Sequence, residues 1–111
     1  MKTHALGEFE EIVLLAVCTL GNHAYANTVK EEVLKHSGRS YNLSAIHTAL
    51  YRLEEKGFLE SQLGEPTSKR GGKRKRIFSS TSYAIKSLKE NREMRESFWQ
   101  SISSSLLNPA K

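Results

Sequence analysis

Apolar residues recur at helical spacing in three separate stretches of the first half of the chain. The first stretch predicts a helix at about Glu8–Leu20, and the second predicts a helix at about Ala24–His36. The third predicts a helix between Asn42 and Gly57, because Asn42 can cap its first turn and Gly57 can close its last. Its expected buried stripe consists of Leu43, Ile46, Leu50 and Leu53. Two helices, a short turn and a third helix predict a helix-turn-helix arrangement.

The outer face of the third predicted helix is polar and has no acidic residue before Glu54. It carries Ser44, His47, Thr48, Tyr51 and Arg52. Small hydroxyls, amides and arginine recognise base edges in the major groove of DNA, whereas phosphate repels acids. The face therefore predicts a DNA-recognition helix. An ordinary amphipathic helix with its polar face in water is an equal alternative, because such helices are common.

After Gly57 the pattern changes to one typical of short strands. Residues 58–63 and 75–79 predict two strands, and the residues between them are turn formers. Six cations fall within eight residues at the tip and the return of this hairpin: Lys69, Arg70, Lys73, Arg74, Lys75 and Arg76. A basic hairpin directly behind a polar-faced helix predicts the wing of a winged helix-turn-helix.

The net charge of +5 is concentrated in this cluster, since the remaining chain has eleven cations (17 − 6) against twelve acids. A localised positive potential is typical of a phosphate-binding element. A cation-rich loop can also be a solvated tail or a localisation signal. Its position between two predicted strands favours the wing.

Thr81 is a good cap for a last helix that runs from Ser82 to about Leu107, roughly 39 Å at the usual rise per residue. Its loose seven-residue pattern comprises Ile85, Leu88, Met94, Arg95, Phe98, Trp99, Ile102, Leu106 and Leu107. A long amphipathic helix on a small domain usually buries its stripe against a second copy, which predicts a homodimer. The alternative is a helix that folds back on its own domain. The expected domains are residues 1–81, which bind DNA, and residues 82–111, which dimerise.

The composition excludes several other classes of protein. The chain has 111 residues, of which 38% are hydrophobic, and this is enough for one domain with a modest core. No apolar run is long enough to span a bilayer, and the N-terminus lacks a signal-peptide pattern, so we expect a soluble intracellular protein. The single cysteine, Cys18, lies in an apolar helix and is expected to pack there.

Enzymatic chemistry has little support in the sequence. The four histidines are scattered and form no i, i+4 pair, so a zinc site is not predicted. Gly71 and Gly72 lie in a basic hairpin and not between a strand and a helix, which argues against a phosphate-binding loop. No nucleophile and base stand at a recognisable spacing. We therefore expect a non-enzymatic protein without a cofactor or metal.

Three blocks of sequence resemble the PadR family of bacterial transcriptional regulators. They are LGEFEEIVLL at residues 6–15, ALYRLEEKGFL at residues 49–59, and LGEPT at residues 63–67 followed by RGGKRKR at residues 70–76. The resemblance extends from about Leu6 to Trp99. It implies a mainly α fold with a β-hairpin, namely a winged helix-turn-helix with one long C-terminal dimerisation helix. It also implies a cytoplasmic homodimer that usually represses a neighbouring operon until a small molecule or stress releases it.

The resemblance also suggests an effector. Some related regulators bind flat aromatic compounds between their subunits, next to a tryptophan on the last helix. Trp99 is the corresponding candidate here, together with Phe98, although an anchor in the dimer interface is the favoured alternative for Trp99. The sequence departs from the family pattern at His47, where tyrosine is common, and at Ala26, where glycine commonly follows the tyrosine of the second helix. The first departure concerns the operator sequence, and the second concerns packing.

The predicted DNA contacts come from the third helix and from the hairpin. They are Ser44, His47, Thr48, Tyr51, Arg52, Arg70, Lys73, Arg74 and Arg76. The helix residues are expected to contact base edges or phosphates, and the hairpin cations to contact phosphates or the minor groove. His47 could instead be a solvated helix residue, and Arg76 a charge on a strand edge. The rival hypothesis is a protein-interaction module that has the same winged fold and binds no operator.

Overall fold

A computed structural model of the chain describes residues 6–65 and 74–108. Five α-helices and two strands follow one another in these ranges. In chain order they are α1 (Glu8–Leu20), α2 (Ala26–Ser37), α3 (Leu43–Glu55), β1 (Leu59–Leu63), β2 (Arg76–Ser80), α4 (Ser82–Ser101) and α5 (Ser104–Leu107). The predicted mainly α fold with a β-hairpin is confirmed. Within the described ranges, no helix is both long and apolar enough to cross a bilayer.

The first helix has the predicted bounds, but the second starts two residues later than predicted. A short 3₁₀ turn, Gly21–His23, follows α1. Ala24 then lies in extended backbone, where it is buried and its carbonyl accepts a hydrogen bond from the Phe78 N–H at 2.8 Å. The helix begins only after Tyr25, whose N–H donates to the Thr28 hydroxyl at 3.0 Å. The late start results from this pairing with the hairpin.

Both predicted ends of α3 are confirmed. Asn42 caps the helix, because its Oδ1 accepts a hydrogen bond from the Ala45 N–H at 2.8 Å. Gly57 follows the last turn with a φ of +87°, a left-handed conformation that glycine adopts without the clash a Cβ would cause.

The predicted buried stripe of α3 is wrong at one position. Its buried residues are Ile46, Ala49, Leu50 and Leu53. Leu43, which was expected in this stripe, is 37% exposed. It is the first residue of the helix and lies at the edge of the core, beside the base of the hairpin. Ala49 is buried in the middle of the helix, where a small side chain allows close packing.

The predicted hairpin is confirmed, although β1 begins one residue later than predicted and β2 lies one residue further along the chain. The strands are antiparallel, and their register pairs Leu59 with Ser80 and Leu63 with Arg76. Phe58 precedes β1 because its N–H donates to the Leu53 carbonyl at 2.9 Å, which closes the end of α3. This hydrogen bond fixes the hairpin directly behind α3.

One apolar core joins the first three helices to the hairpin and to the start of α4. Its fully buried large side chains are Val13, Leu14, Val17, Val29, Val33, Ile46, Leu50, Leu53, Phe58, Leu59 and Phe78. Phe58 stacks on Tyr83 of α4, with 4.8 Å between the ring centroids. The core therefore fixes the first turn of α4 to the end of α3.

The last helix begins as predicted and ends earlier than predicted. The Thr81 hydroxyl accepts a hydrogen bond from the Ala84 N–H at 3.1 Å, which confirms the cap. The helix stops at Ser101 instead of Leu107, Ile102 is extended, and α5 forms a separate turn. Serine hydroxyls compete for backbone groups here, since Ser101 donates to the Ser97 carbonyl at 2.9 Å and Ser103 accepts from the Ser105 N–H.

Candidate nucleic-acid interface

The predicted polar face of α3 is open to solvent. Ser44, Thr48, Tyr51 and Arg52 are exposed, and His47 is half-buried. The rings of His47 and Tyr51 lie nearly parallel, with 6.1 Å between their centroids. The rings of Tyr51 and Phe78 of β2 are steeply inclined to each other, with 6.2 Å between their centroids. The contact between Tyr51 and Phe78 therefore connects the exposed face of α3 to the hairpin.

A shallow cleft of about 220 Å³ separates α3 from the base of the hairpin. It is lined by Tyr25, Ala26, Asn27, Leu43, His47, Tyr51, Arg74, Lys75, Arg76 and Phe78. Two of the predicted residues of α3 and two of the predicted hairpin cations thus face the same cleft. The other predicted residues of α3 lie outside it. Thr48 and Arg52 line a second groove with Tyr51, Glu54 and Glu55. Arg70 and Lys73 lie outside the described residues.

Arg76 connects the hairpin to the end of α3. Its Nη1 donates a hydrogen bond to the Ser61 hydroxyl at 3.0 Å, and that hydroxyl donates to the Glu54 carboxylate at 2.7 Å. The guanidinium is therefore partly used within the protein, although the side chain remains exposed. Ser61 and Glu54 were not among the residues predicted for this site. Ser61 lies outside the three sequence blocks that resemble the PadR family, and the position of Glu54 within one of them gives no sign of this contact. The pairing of β1 with β2 brings Ser61 close to Arg76, and the short connection from α3 to β1 brings it close to Glu54.

Lys75 makes a second connection, between the hairpin and Tyr25. Its Nζ lies 4.1 Å from the centroid of the Tyr25 ring, which places the ammonium over the face of the aromatic ring. Such a cation–π contact is favourable because the face of the ring is electronegative. Tyr25 immediately precedes α2, so this contact joins the base of the hairpin to the start of α2.

Arg74 differs from the two cations that follow it. It is exposed, and within residues 6–65 and 74–108 it has no hydrogen bond or ion pair. All five N–H donors of its guanidinium are therefore available to a ligand as far as these residues are concerned. Arg74 is the hairpin cation in the cleft with the greatest freedom to contact a phosphate.

The acidic residues of α1 pair with cations from three different segments. Lys56 lies 2.8 Å from Glu10, Arg95 lies 3.8 Å from Glu11, and Arg39 lies 4.0 Å from Glu8. A hydrogen bond with Tyr41 raises the pKa of Arg39 further above its ordinary value. None of the groups in these pairs lines the cleft.

A larger open groove of about 500 Å³ lies between α1 and α4. Its apolar walls include Leu15 and Cys18 of α1 and Ile85, Leu88 and Trp99 of α4, and charged residues of both helices form its rim. Trp99 is 57% exposed. Phe98, its predicted companion, is 68% exposed and lies outside the groove.

No family model and no curated protein matches the sequence. Solved structures do match the fold. A PadR-like transcriptional regulator from Bacillus cereus is 16% identical, with a TM-score of 0.67 over 92% of this chain and 93% of that chain. A transcriptional regulator from Clostridium thermocellum is 22% identical, with a TM-score of 0.65 over 82% of each chain. RosR of H. salinarum is 17% identical, with a TM-score of 0.71 over 93% of this chain and 86% of its own.

The chain has the fold of PadR-like transcriptional regulators. In this PadR-like fold, α2 and α3 are the helix-turn-helix, and β1 and β2 are the wing. The predicted winged helix-turn-helix is thereby confirmed, and its structural neighbours are described as transcriptional regulators and not as enzymes.

Proposed function

We propose that the chain is a PadR-family transcriptional regulator that binds double-stranded DNA. The observation that carries this proposal is the cleft in which His47 and Tyr51 of α3 face Arg74 and Arg76 of the wing. A polar helix face beside a basic hairpin fits a duplex, whose base edges lie in a groove bordered by phosphates. The PadR-like fold supports the same assignment.

In this proposal α3 enters the major groove and the wing follows the DNA backbone. Ser44, His47, Thr48 and Tyr51 contact base edges or phosphates, and Arg52 contacts a phosphate or a guanine. Arg74 binds a phosphate, and Arg76 adds a second cation while it holds the wing through Ser61. Arg70 and Lys73 extend the phosphate contacts or place an arginine in the minor groove.

The DNA-binding unit is a homodimer in this proposal, formed through residues 82–111, which include α4. The support is the apolar stripe on the distal half of α4 and the open groove beside it, because large exposed apolar patches mark interaction sites. Two recognition helices would then enter successive major grooves about 34 Å apart on a pseudo-palindromic operator.

The regulator is proposed to act in the cytoplasm as a repressor that a small aromatic effector releases. Trp99 and the apolar walls of the groove between α1 and α4 provide a surface for a flat ring, and Phe98 is available to the dimer interface. An effector bound there would change the angle between the two α4 helices and therefore the spacing of the recognition helices. Such coupling is reciprocal, so DNA must alter the affinity for the effector by the same factor.

Selection from a random DNA library with the purified protein, at about physiological salt, tests the function directly. We expect enrichment of a two-fold symmetric motif whose half-sites lie one helical turn apart. A folded dimer that enriches no sequence would overturn operator binding by the free protein and favour the protein-interaction module.

A charge reversal at Arg74 tests the contribution of the wing. Arg74→Glu is expected to weaken operator binding at least tenfold and to reduce the slope of log affinity against log salt by about two for a dimer, one for each lost phosphate contact. Lys35→Glu on α2, an exposed cation that does not line the cleft, is the matched control and should leave the salt slope close to that of the wild type. Equal effects of the two substitutions would contradict a specific role of the wing.

A further inference from the structure

Leu43 is an exposed aliphatic residue on a helix that buries its other aliphatic residues. Leu50 and Leu53 are fully buried, whereas Leu43 is 37% exposed. An exposed leucine forgoes part of the stabilisation that burial of its side chain would provide. Its side chain lines the cleft between α3 and the wing, so this apolar surface faces the candidate interface.

Leu43, His47 and Tyr51 stand four residues apart and therefore lie along one side of α3. All three line the same cleft, which places one apolar side chain and two side chains capable of hydrogen bonding in a row. Leu43 is at the N-terminal end of this row. The N-terminal residues of a recognition helix are the ones that contact base edges.

The charges around the cleft restrict what can cover Leu43. Arg74, Lys75 and Arg76 border the same cleft, and no acidic residue is among the described residues that line it. These cations favour a polyanion over an apolar protein segment. In a DNA duplex, the apolar group that the major groove presents is the C5-methyl group of thymine.

We infer that Leu43 recognises the methyl group of a thymine in each operator half-site. This inference rests on the proposed DNA-binding function and adds a base preference to it. Leu43 supplies the apolar contact, while His47 and Tyr51 provide polar contacts to neighbouring bases or phosphates. The methyl contact adds specificity without a hydrogen bond, because a cytosine at that position has only a hydrogen on C5 and offers the leucine no methyl group.

Replacement of thymine by deoxyuridine tests this contact, because the two bases differ only by the methyl group. Each thymine of the selected operator is replaced in turn, and the dissociation constant is measured for the wild type and for Leu43→Ala. For the wild type we expect one position in each half-site at which the replacement weakens binding about fourfold, the effect of removing one buried methyl group from the interface. For Leu43→Ala, the same replacement is expected to have no further effect, so the two changes are not additive.

A second variant and a control extend the test. Leu43→Gln retains a long side chain but ends in an amide, which pairs with adenine. Repeated library selection with this variant should lose the thymine preference at that position and keep the rest of the motif. Leu34→Ala removes a similarly exposed leucine from α2, outside the cleft, and should retain the full deoxyuridine effect. Circular dichroism establishes that each variant is folded.

The outcomes separate this inference from the proposed function. If the wild type selects an operator but replacement of its thymines by deoxyuridine never weakens binding, the proposed methyl contact is wrong. The proposed DNA-binding function is then still supported. If a sensitive thymine remains equally sensitive in Leu43→Ala, another residue reads it and the role of Leu43 is overturned. If no operator is selected at all, the proposed function fails and the inference fails with it.

Discussion

The two ends of the molecule treat their apolar residues differently. In the winged helix-turn-helix, the stripes of α1, α2 and α3 and the inner side of the hairpin meet in one core. In α4, Ala84 of the first turn is the buried residue, and the apolar side chains of the distal half, among them Met94, Phe98 and Trp99, are exposed. Both regions have an amphipathic pattern. The apolar residues of the first region are buried within one copy of the chain, whereas those on the distal half of α4 are exposed.

This difference separates folding from association. The N-terminal core is complete in one copy, so its stability should not depend on protein concentration. The apolar residues on the distal half of α4 are not covered by other described residues. Their contribution to the free energy of unfolding should appear only when a second molecule covers them. A species that binds the folded state stabilises it by mass action, which makes the effect concentration-dependent.

The largest expected effect is the loss of a core aromatic ring. Phe58→Ala removes a fully buried side chain that stacks on Tyr83, and should lower the free energy of unfolding by about 3–5 kcal/mol. Urea unfolding at two protein concentrations measures this loss. Phe98→Ala is the matched control, with an expected change below about 0.5 kcal/mol at a concentration where the chain is monomeric. Equal decreases in the free energy of unfolding for the two variants would contradict the difference in burial between the two regions.

The next effect concerns association through the distal stripe. Phe98→Glu places a charge on the apolar face of α4 and should raise the dissociation constant of the dimer at least about 30-fold, which corresponds to the loss of one interface hot spot. Sedimentation equilibrium measures the constant. Leu34→Glu, which adds the same charge at an exposed leucine of α2, should leave it unchanged. A monomeric wild type, or dimers of equal strength in both variants, would contradict dimerisation through α4.

A smaller effect is expected where the N-terminal region holds the wing by a cation–π contact. Tyr25→Leu removes the ring beneath the Lys75 ammonium and should weaken operator binding about two- to fivefold, as expected for a contact worth about 0.5–1 kcal/mol. Tyr25→Phe keeps the ring and should bind nearly as well as the wild type. Fluorescence anisotropy with a labelled operator compares the three proteins. If the phenylalanine variant loses as much as the leucine variant, the tyrosine hydroxyl and not the ring is responsible.

The smallest effect belongs to an exposed polar contact between α1 and α2. The Thr19 hydroxyl donates to the Glu32 carboxylate at 2.9 Å, and this bond, aided by His36, lowers the pKa of Glu32 below its ordinary value of 4.5. A carboxylate with a lowered folded-state pKa stabilises the fold above pH 4.5, and the gain is lost as the pH falls through the folded-state pKa. Glu32→Gln should therefore be less stable than the wild type at pH 7, and the difference should shrink as the pH falls below 4.5 through the folded-state pKa.

Thermal unfolding at several pH values compares these two proteins. Glu31→Gln, which removes the adjacent exposed carboxylate, is the control. A difference between wild type and Glu32→Gln that does not shrink as the pH is lowered would show that the effect does not come from the ionised carboxylate.

Local features of the sequence were sufficient to predict most of the elements. Asn42 and Thr81 have side-chain oxygens that cap the following turn, so the starts of α3 and α4 depend on residues three positions apart. The helical period and the two short apolar segments likewise predicted α1 and the hairpin. The prediction failed at the end of α4, where Ser101 and Ser103 divert backbone hydrogen bonds and interrupt the helix.

The candidate site was predicted only in part, because several of its contacts join segments that are far apart in the sequence. The exposed face of α3 follows from helical spacing, and the basic character of the wing follows from composition. The link from Arg76 through Ser61 to Glu54 and the contact of Lys75 with Tyr25 have no local pattern. They exist because the hairpin register and the core place these segments side by side.

The sequence alone determined the order of the helices and strands, the polar face of α3 and the basic cluster, because each depends on neighbouring residues or on composition. Tertiary structure decided that Leu43 is exposed in the cleft while Ala49 is buried, and that the distal stripe of α4 is left uncovered. Periodicity shows which residues share a face of a helix. Only the packing of the other elements decides how much of that face is covered, and at which end.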